Sequence, residues 1–423
     1  MVAEIVLGVF VITYIAISSE KVNRTATALL GMGVVGIVLW ATDSGGFSDI
    51  VDGIAWSTIL FVTSMFIIVT IAASSGMFQY LAIELTRPTQ GVARRLFITL
   101  VGFVFVISLF FDTTSTMLIM APLTIELCKA LEIDFRPFLI SEAITCNFAS
   151  IPSVVGAVPN LIVSDEAGVD PGLLFEVLMP LSIILFVVSV PLLLRYFDSQ
   201  LEDSEEFLVS QVMRIRSQYM IRSRSDFYLS IIAMFILVLG FTLGPAYHLE
   251  PAVIAITVAA ALLVVSREWV DEILKRVNWG TIFFLIGLFG LVAALELTGT
   301  IDALAVVIGA LIGDNYVLGT VFMIWVPALL SAVIDNIPIS IVLAPVAVQF
   351  TLSPILPIAL MFAVNIGGFI LPIGSPANIL ALAFAEKEKR RISMKDFAKI
   401  GAPLGLLMLG IGTGWLLLVG LFI

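Results

Sequence analysis

Apolar residues run along this chain in long blocks, not in the short alternating segments that mark strands. The clear blocks are 2 to 18, 26 to 41, 57 to 75, 137 to 163, 173 to 194, 227 to 245, 251 to 266, 280 to 298, 357 to 384 and 397 to 421. Blocks of this length, as helices, cross about 30 Å of hydrocarbon, whereas a membrane barrel needs short strands of alternating character. Two longer blocks, 96 to 128 and 315 to 351, are broken near their middles by Asp112 and Asp335. Each is either one strained span or two half-length helices that enter and leave on the same side.

Basic residues decide between these readings, because Lys and Arg beside membrane segments stay cytoplasmic. With the long blocks as re-entrant hairpins and the Lys21/Arg24 loop inside, all 21 Lys and Arg residues fall on the cytoplasmic side. A first long block that crossed the membrane would leave Lys129 and Arg136 outside. The sequence therefore predicts hairpins at 93–131 and 315–351 and both termini outside. The first block carries Glu4 where a signal peptide would be positive and has no small-residue cleavage site, so it is read as a retained helix.

The blocks also repeat. "IAWSTILFVTSMF" (54 to 66) and "VNWGTIFFLIGLF" (277 to 289) share Trp, Thr, Ile, Phe and Phe, and the same offset relates Gly76 to Gly299, Asp112 to Asp335 and Pro122 to Pro345. A slightly shorter offset relates Asn147 to Asn365, Gly156 to Gly374 and Asn160 to Asn378. Repeats are sought first because they decide the architecture. The predicted organisation is a first repeat over 1–194 with a broken helix at 137–163, a cytoplasmic linker over 195–226, and a second repeat over 227–423 with a broken helix at 357–384. Five crossings and one hairpin per repeat make an odd number, so the second repeat is inverted in the membrane.

Composition fixes the class. The 423 residues are 60% hydrophobic and 13% charged, with a mean hydropathy of +1.14, which marks an all-α polytopic membrane protein of the cell membrane. Cys128 and Cys146 are too few for a disulfide framework or a thiolate cluster, and His248 has no second histidine to make a metal site. No cofactor and no nucleic-acid partner is expected. The lipid bilayer is the surroundings.

Inverted repeats with broken helices at matching positions are the signature of secondary transporters, whose sites form near the midplane from helix ends and unwound backbone. The predicted site takes Asp112, Thr113, Thr114 and Ser115 from the first hairpin tip and Asp335 and Asn336 from the second. The breaks "NFASIPSVVGAVPN" and "NIGGFILPIGSPAN" add Asn147, Ser150, Gly156, Asn160, Asn365, Gly367, Gly368, Gly374, Ser375 and Asn378. Gly and Pro there remove helical hydrogen bonds and expose carbonyls, which suits a small cation seeking oxygen ligands. Glu142, near the first break, is a candidate proton carrier. An isolated Ser, Thr or Asn in a membrane helix is ordinarily packing glue, but matched placement in both repeats argues for function. An intramembrane aspartic protease dyad would need a Gly-x-Gly-Asp motif that neither "LFFD" nor "AVID" supplies; a passive channel would differ in lacking uphill transport.

At these residues the chain resembles the ion transporter superfamily, most closely the branch holding ArsB-type arsenite permeases, the pigmentation P protein and NhaD-type sodium/proton antiporters. "FFDTTSTMLIMAPLTIEL" and "VIDNIPISIVLAPVAV" look like its paired hairpin tips, and "NIGGFILPIGSPAN" is similar to its Asn-Ile-Gly-Gly signature. "NFASIPSVVGAVPN" departs from that signature by lacking Gly-Gly. The resemblance implies a homodimer, elevator-type movement, and coupling to sodium or protons, and it places Asp112, Thr113, Thr114, Asn147, Asp335, Asn336 and Asn365 at the site. Two Asp and no Lys, Arg or His in the inferred cavity disfavour an unaccompanied anion. Proton-coupled arsenite or antimonite efflux is therefore the first expectation, ahead of sodium/proton exchange and of sodium-coupled symport of a small carboxylate.

Overall fold

Polar residues at the block boundaries set where helices begin. Asn23, Asp170, Ser223, Asn278, Asn315 and Ser393 each accept a backbone N–H in the first turn of the helix that follows. Each such cap is worth about 1 kcal/mol. The structure, a computed structural model, describes residues 2–18, 22–204, 217–247, 249–313, 315–349 and 355–422. Most of the polar linker (205–216), His248 and the end of the second hairpin (350 and 351) lie outside them.

The described residues form 20 α-helices and no strand. The first ten are α1 (Val2–Ser18), α2 (Arg24–Ala41), α3 (Phe47–Asp52), α4 (Trp56–Ser75), α5 (Met77–Thr86), α6 (Ala93–Ile107), α7 (Thr113–Ala130), α8 (Arg136–Ala149), α9 (Val158–Ala167) and α10 (Pro171–Phe197). The second ten are α11 (Arg224–Leu243), α12 (Pro251–Val265), α13 (Val270–Arg276), α14 (Trp279–Leu297), α15 (Thr300–Ile312), α16 (Tyr316–Val333), α17 (Asn336–Gln349), α18 (Ile355–Gly367), α19 (Pro376–Lys387) and α20 (Met394–Val419). Seven helices are long and apolar enough to cross a membrane. The two long blocks divide at Asp112 and Asp335 into α6/α7 and α16/α17, and the two Gly/Pro-rich blocks divide into α8/α9 and α18/α19. The 13-residue helix α15 has no counterpart among the sequence-predicted spans: at about 1.5 Å per residue it is too short to cross, and its block falls below the length of a span.

Packing relates the two halves. Helix α2 packs on α14 and α4 on α12; α7 packs on α19 and α17 on α9. Each half thus contributes the second arm of its hairpin to the second segment of the other half's broken helix. Trp56 donates its indole N–H to the Val51 carbonyl (3.1 Å), and Trp279 does the same to Leu274 (2.8 Å), closing the turns after α3 and α13. The core lies in the broken helices: α18 is buried along its whole length and α8 from Pro137 to Ala149. A helix apolar and covered all round belongs at the centre of a bundle. By contrast α2, α11 and α12 present Leu30, Ile37, Phe235 and Val264 outward, as lipid-facing helices do.

The connections before α8 and after α19 are tied by charge. Asp134 accepts from Arg136 at 2.6 Å, Arg390 approaches the same carboxylate at 3.8 Å, and Lys129 pairs with Glu388. Burial pushes the Asp134 carboxyl up, but the Arg136 hydrogen bonds and the charges of Arg136 and Arg390 outweigh it and hold the group below the usual carboxylate range.

Candidate functional site

Asp112 begins the second arm of the first hairpin. Its extended backbone ends the turn at 108–111, and its carboxylate caps α7, accepting the Thr114 and Ser115 N–H groups at 3.0 and 3.1 Å and the Ser115 hydroxyl at 2.5 Å. Thr113, Thr114 and Ser115 are buried beside it. The carboxylate lines a small recess with Phe61, Val62 and Met65 of α4 and Val155, Ala157 and Val158 at the start of α9. Asp335 begins α17 in the same manner but with one backbone donor, Ile337 N–H at 3.1 Å. Its other oxygen lies 3.6 Å from the Arg24 guanidinium of α2.

Two expectations are corrected here. The carboxylates do not face one shared cavity among the described residues: Asp112 lies against α4, and Asp335 against α2. Nor is the site free of basic residues, since Arg24 reaches Asp335. A basic residue at the mouth of a span obeys the topology rule whether or not its side chain turns inward, so sequence could not single it out.

The four asparagines form crossed pairs. The Asn147 side-chain amide (Nδ2) donates to Ala143 O (2.8 Å) and to Asn378 Oδ1 (3.3 Å); the Asn365 Nδ2 donates to Met361 O and to Asn160 Oδ1, both at 2.7 Å. Asn160 in turn donates to the Ser150, Ile151 and Ser153 carbonyls, and Asn378 to Gly368 and Leu371. Each break therefore has its unwound carbonyls satisfied by the asparagine that follows it, while that asparagine accepts from the opposite break. All four are fully buried. Asn147 Oδ1 and Asn365 Oδ1, together with the Ser375 hydroxyl, have no hydrogen-bond partner among the described residues. A buried amide oxygen without a donor costs about 1–3 kcal/mol. These oxygens are the groups on hand to hold a small hard cation, which takes oxygen ligands. No cluster of three or more His, Cys, Asp or Glu suited to a metal occurs among the described residues.

Glycines let the pieces meet. A methyl group on Gly156 would lie 2.4 Å from the Ser108 carbonyl, and one on Gly374 would lie 2.5 Å from the Ser331 carbonyl. Each break is thus pressed against the end of its own hairpin's first arm. The site of Gly368 is bordered by Asn147 Oδ1 and Asn336 Nδ2, so the second tip and both breaks converge there. Ser150 and Ser375 lie in the same unwound segments, and Gly367 is the last residue of α18 before the second break. Glu142 stands apart from the convergence: it is fully buried, accepts from Thr124 at 2.6 Å, and has one free oxygen.

A cavity of about 250 Å³ opens between the α3–α4 turn (Gly53 to Ala55), α9, α14 and α17, with Asp165, Glu166 and Glu296 among its lining residues and Ile341 and Pro345 on its hairpin side. Asp165 and Glu166, at the end of α9, thus reach the same opening as Glu296 of α14.

The asparagine network gives a stability prediction. Asn160→Ala removes the donor of three buried carbonyls and the acceptor of Asn365. It is expected to destabilise the protein by about 2–3 kcal/mol, read as an earlier unfolding midpoint for purified protein in detergent. A midpoint equal to that of the wild type would show that the crossed pair contributes nothing.

A family model described as citrate transporter (CitMHS) matches residues 14–352. A 46 kDa membrane protein of Mycobacterium leprae is 30% identical over 404 residues, covering 94% of this chain and 94% of its own. The P protein of Homo sapiens is 26% identical over 488 residues, covering 96% of this chain and 58% of its own. Among solved structures, the Alcanivorax borkumensis YdaH transporter aligns with a TM-score of 0.54 at 16% identity, over 96% of this chain and 98% of that one. That likeness shows a shared transporter fold.

Proposed function

Because this chain belongs to the CitMHS citrate transporter family of the ion transporter superfamily, we propose that its cargo is a small carboxylate of the citrate kind, moved together with a coupling cation, sodium or proton. It is a multi-pass membrane protein and a secondary transporter, and the members of its family are transporters and not enzymes. The observation that carries the proposal is the pair of unpartnered amide oxygens, Asn147 Oδ1 and Asn365 Oδ1, fully buried at matching breaks. A cation there would complete both oxygens, and an anion could enter beside it without meeting uncompensated carboxylates. The guanidinium of Arg24 favours a charged carboxylate over an uncharged arsenite cargo.

The crossed contacts of α7 with α19 and α17 with α9 support reading the chain as two inverted repeats. On that reading α6 to α9 and α16 to α19 form a body that carries the site across the membrane, in elevator fashion, against a frame that includes α2, α4, α12 and α14. A homodimer with both termini outside completes the proposal. Asp112 and Asp335 each offer a cation a carboxylate at their own hairpin tip, the asparagine oxygens offer a further cation ligand set, and the two tips close over the cargo.

Proteoliposomes holding the purified protein test the cargo. Uptake of labelled citrate or succinate that depends on an inward sodium or proton gradient is expected. Uptake of arsenite or of radiosodium with no carboxylate transported would replace this reading with arsenite efflux or with sodium/proton exchange.

A further inference from the structure

The two hairpin tips match in sequence but differ in chemistry. At the first, three donors from its own helix surround the Asp112 carboxylate. At the second, Asp335 keeps one backbone donor, and its outer oxygen faces Arg24. Arg24 is the first residue of α2, and its guanidinium lies over the Phe284 ring of α14 at 5.2 Å. Phe284 matches Phe61 at the repeat offset, and Phe61 lines the recess at Asp112. The helix that corresponds to α2 in the second half is α12, which starts at Pro251 after Glu250. At the repeat offset Arg24 matches Tyr247, so the tethered cation of one tip has no basic counterpart at the matching position of the other half.

Helix α2 packs with α1, α3 and α14, whereas the Asp335 tip joins α16 to α17, which pack chiefly with α9 and α18; α17 also touches α14 and α15. The pair joins two packing groups. Its side chains are 38% and 15% exposed, so the guanidinium can turn out to water, with the aromatic face beneath it holding it near, while the mostly buried carboxylate then needs another cation in its place.

We propose that Arg24 is a positioning residue of the transport cycle: its guanidinium stands in for the coupling cation at Asp335, and cation binding there displaces it and frees the second hairpin tip from α2. The inference rests on the cation coupling proposed above. Its sign is definite, because removing a tethered competitor lets a free cation meet an unoccupied carboxylate.

The test is cation titration of purified full-length protein, following its thermal unfolding midpoint, with sodium chloride against choline chloride in one arm and pH without sodium in the other. Arg24→Gln is expected to lower the half-saturating sodium or proton activity about fivefold, the equilibrium equivalent of a partly exposed pair. Arg24→Lys, which keeps the charge but loses the planar fork, shifts it less and in the same direction; Asp335→Asn abolishes the response of this site. A purely structural Arg24 would change the midpoint temperature without moving the titration, and Arg24→Gln titrating at the wild-type activity overturns the proposal. Should Arg24→Gln not be recovered folded, an Arg24→Lys titration superposable on that of the wild type overturns it equally. A wild type that responds to neither cation instead overturns the coupling reading, and this inference with it.

Discussion

Asp112→Asn is expected to fold like the wild type and to lose coupled transport by a hundredfold or more. Asparagine is as good an N-cap as aspartate, and its carbonyl can keep the Thr114 and Ser115 N–H bonds that the carboxylate accepts at 3.0 and 3.1 Å. The negative charge is what disappears. At an effective dielectric of about 20, a unit charge about 4 Å from a cation is worth roughly 4 kcal/mol, more than two orders of magnitude in binding. The measurement is initial-rate uptake in proteoliposomes, normalised to folded protein. If Asp112 only ends a turn and caps α7, Asp112→Asn transports at the wild-type rate.

Gly374→Val is expected to give the largest loss of folded protein. The Cβ position lies 2.5 Å from the Ser331 carbonyl and 2.8 Å from the Gly368 carbonyl. Both are backbone atoms held in packed segments, so neither yields as the end of a side chain would. Overpacking of this kind costs about 3 kcal/mol, a large fraction of the stability of an ordinary domain, and the break cannot be relieved without separating the second hairpin from it. Gly410→Ala in α20 is the control: nothing lies within 4 Å of its Cβ position, and Ala in an exposed helix interior gains about 0.5–1 kcal/mol over Gly. Fluorescence-detected size exclusion after graded heating reads both. A Gly374→Val protein as stable as Gly410→Ala would mean that break and hairpin arm are not in contact.

The helix breaks were legible because their residues are anomalous where they stand. A carboxylate inside an apolar block, and Gly with Pro inside a span, violate local rules whatever the fold. The positions of Asp112, Asp335, Gly156 and Gly374 in the chain therefore pointed to the breaks. The asparagine pairs were not legible. Asn147 meets Asn378 and Asn365 meets Asn160 across 231 and 205 residues, and the order of residues in a repeat does not say which half each will face. Helix α15 was not legible because 13 mostly apolar residues, with Asp302 in the first turn, fit neither a span nor a loop. Arg24 was counted as a topological marker, and nothing in "KVNRTATALL" distinguishes a guanidinium at the headgroups from one at Asp335.

Uphill accumulation measures the coupling itself. Wild-type protein in sealed proteoliposomes, given equal citrate on both sides and an imposed sodium or proton gradient, is expected to concentrate citrate on one side and to lose that gradient when an ionophore dissipates the driving cation. Citrate that never departs from equal concentration while the cation gradient is intact would contradict cation-coupled carboxylate transport.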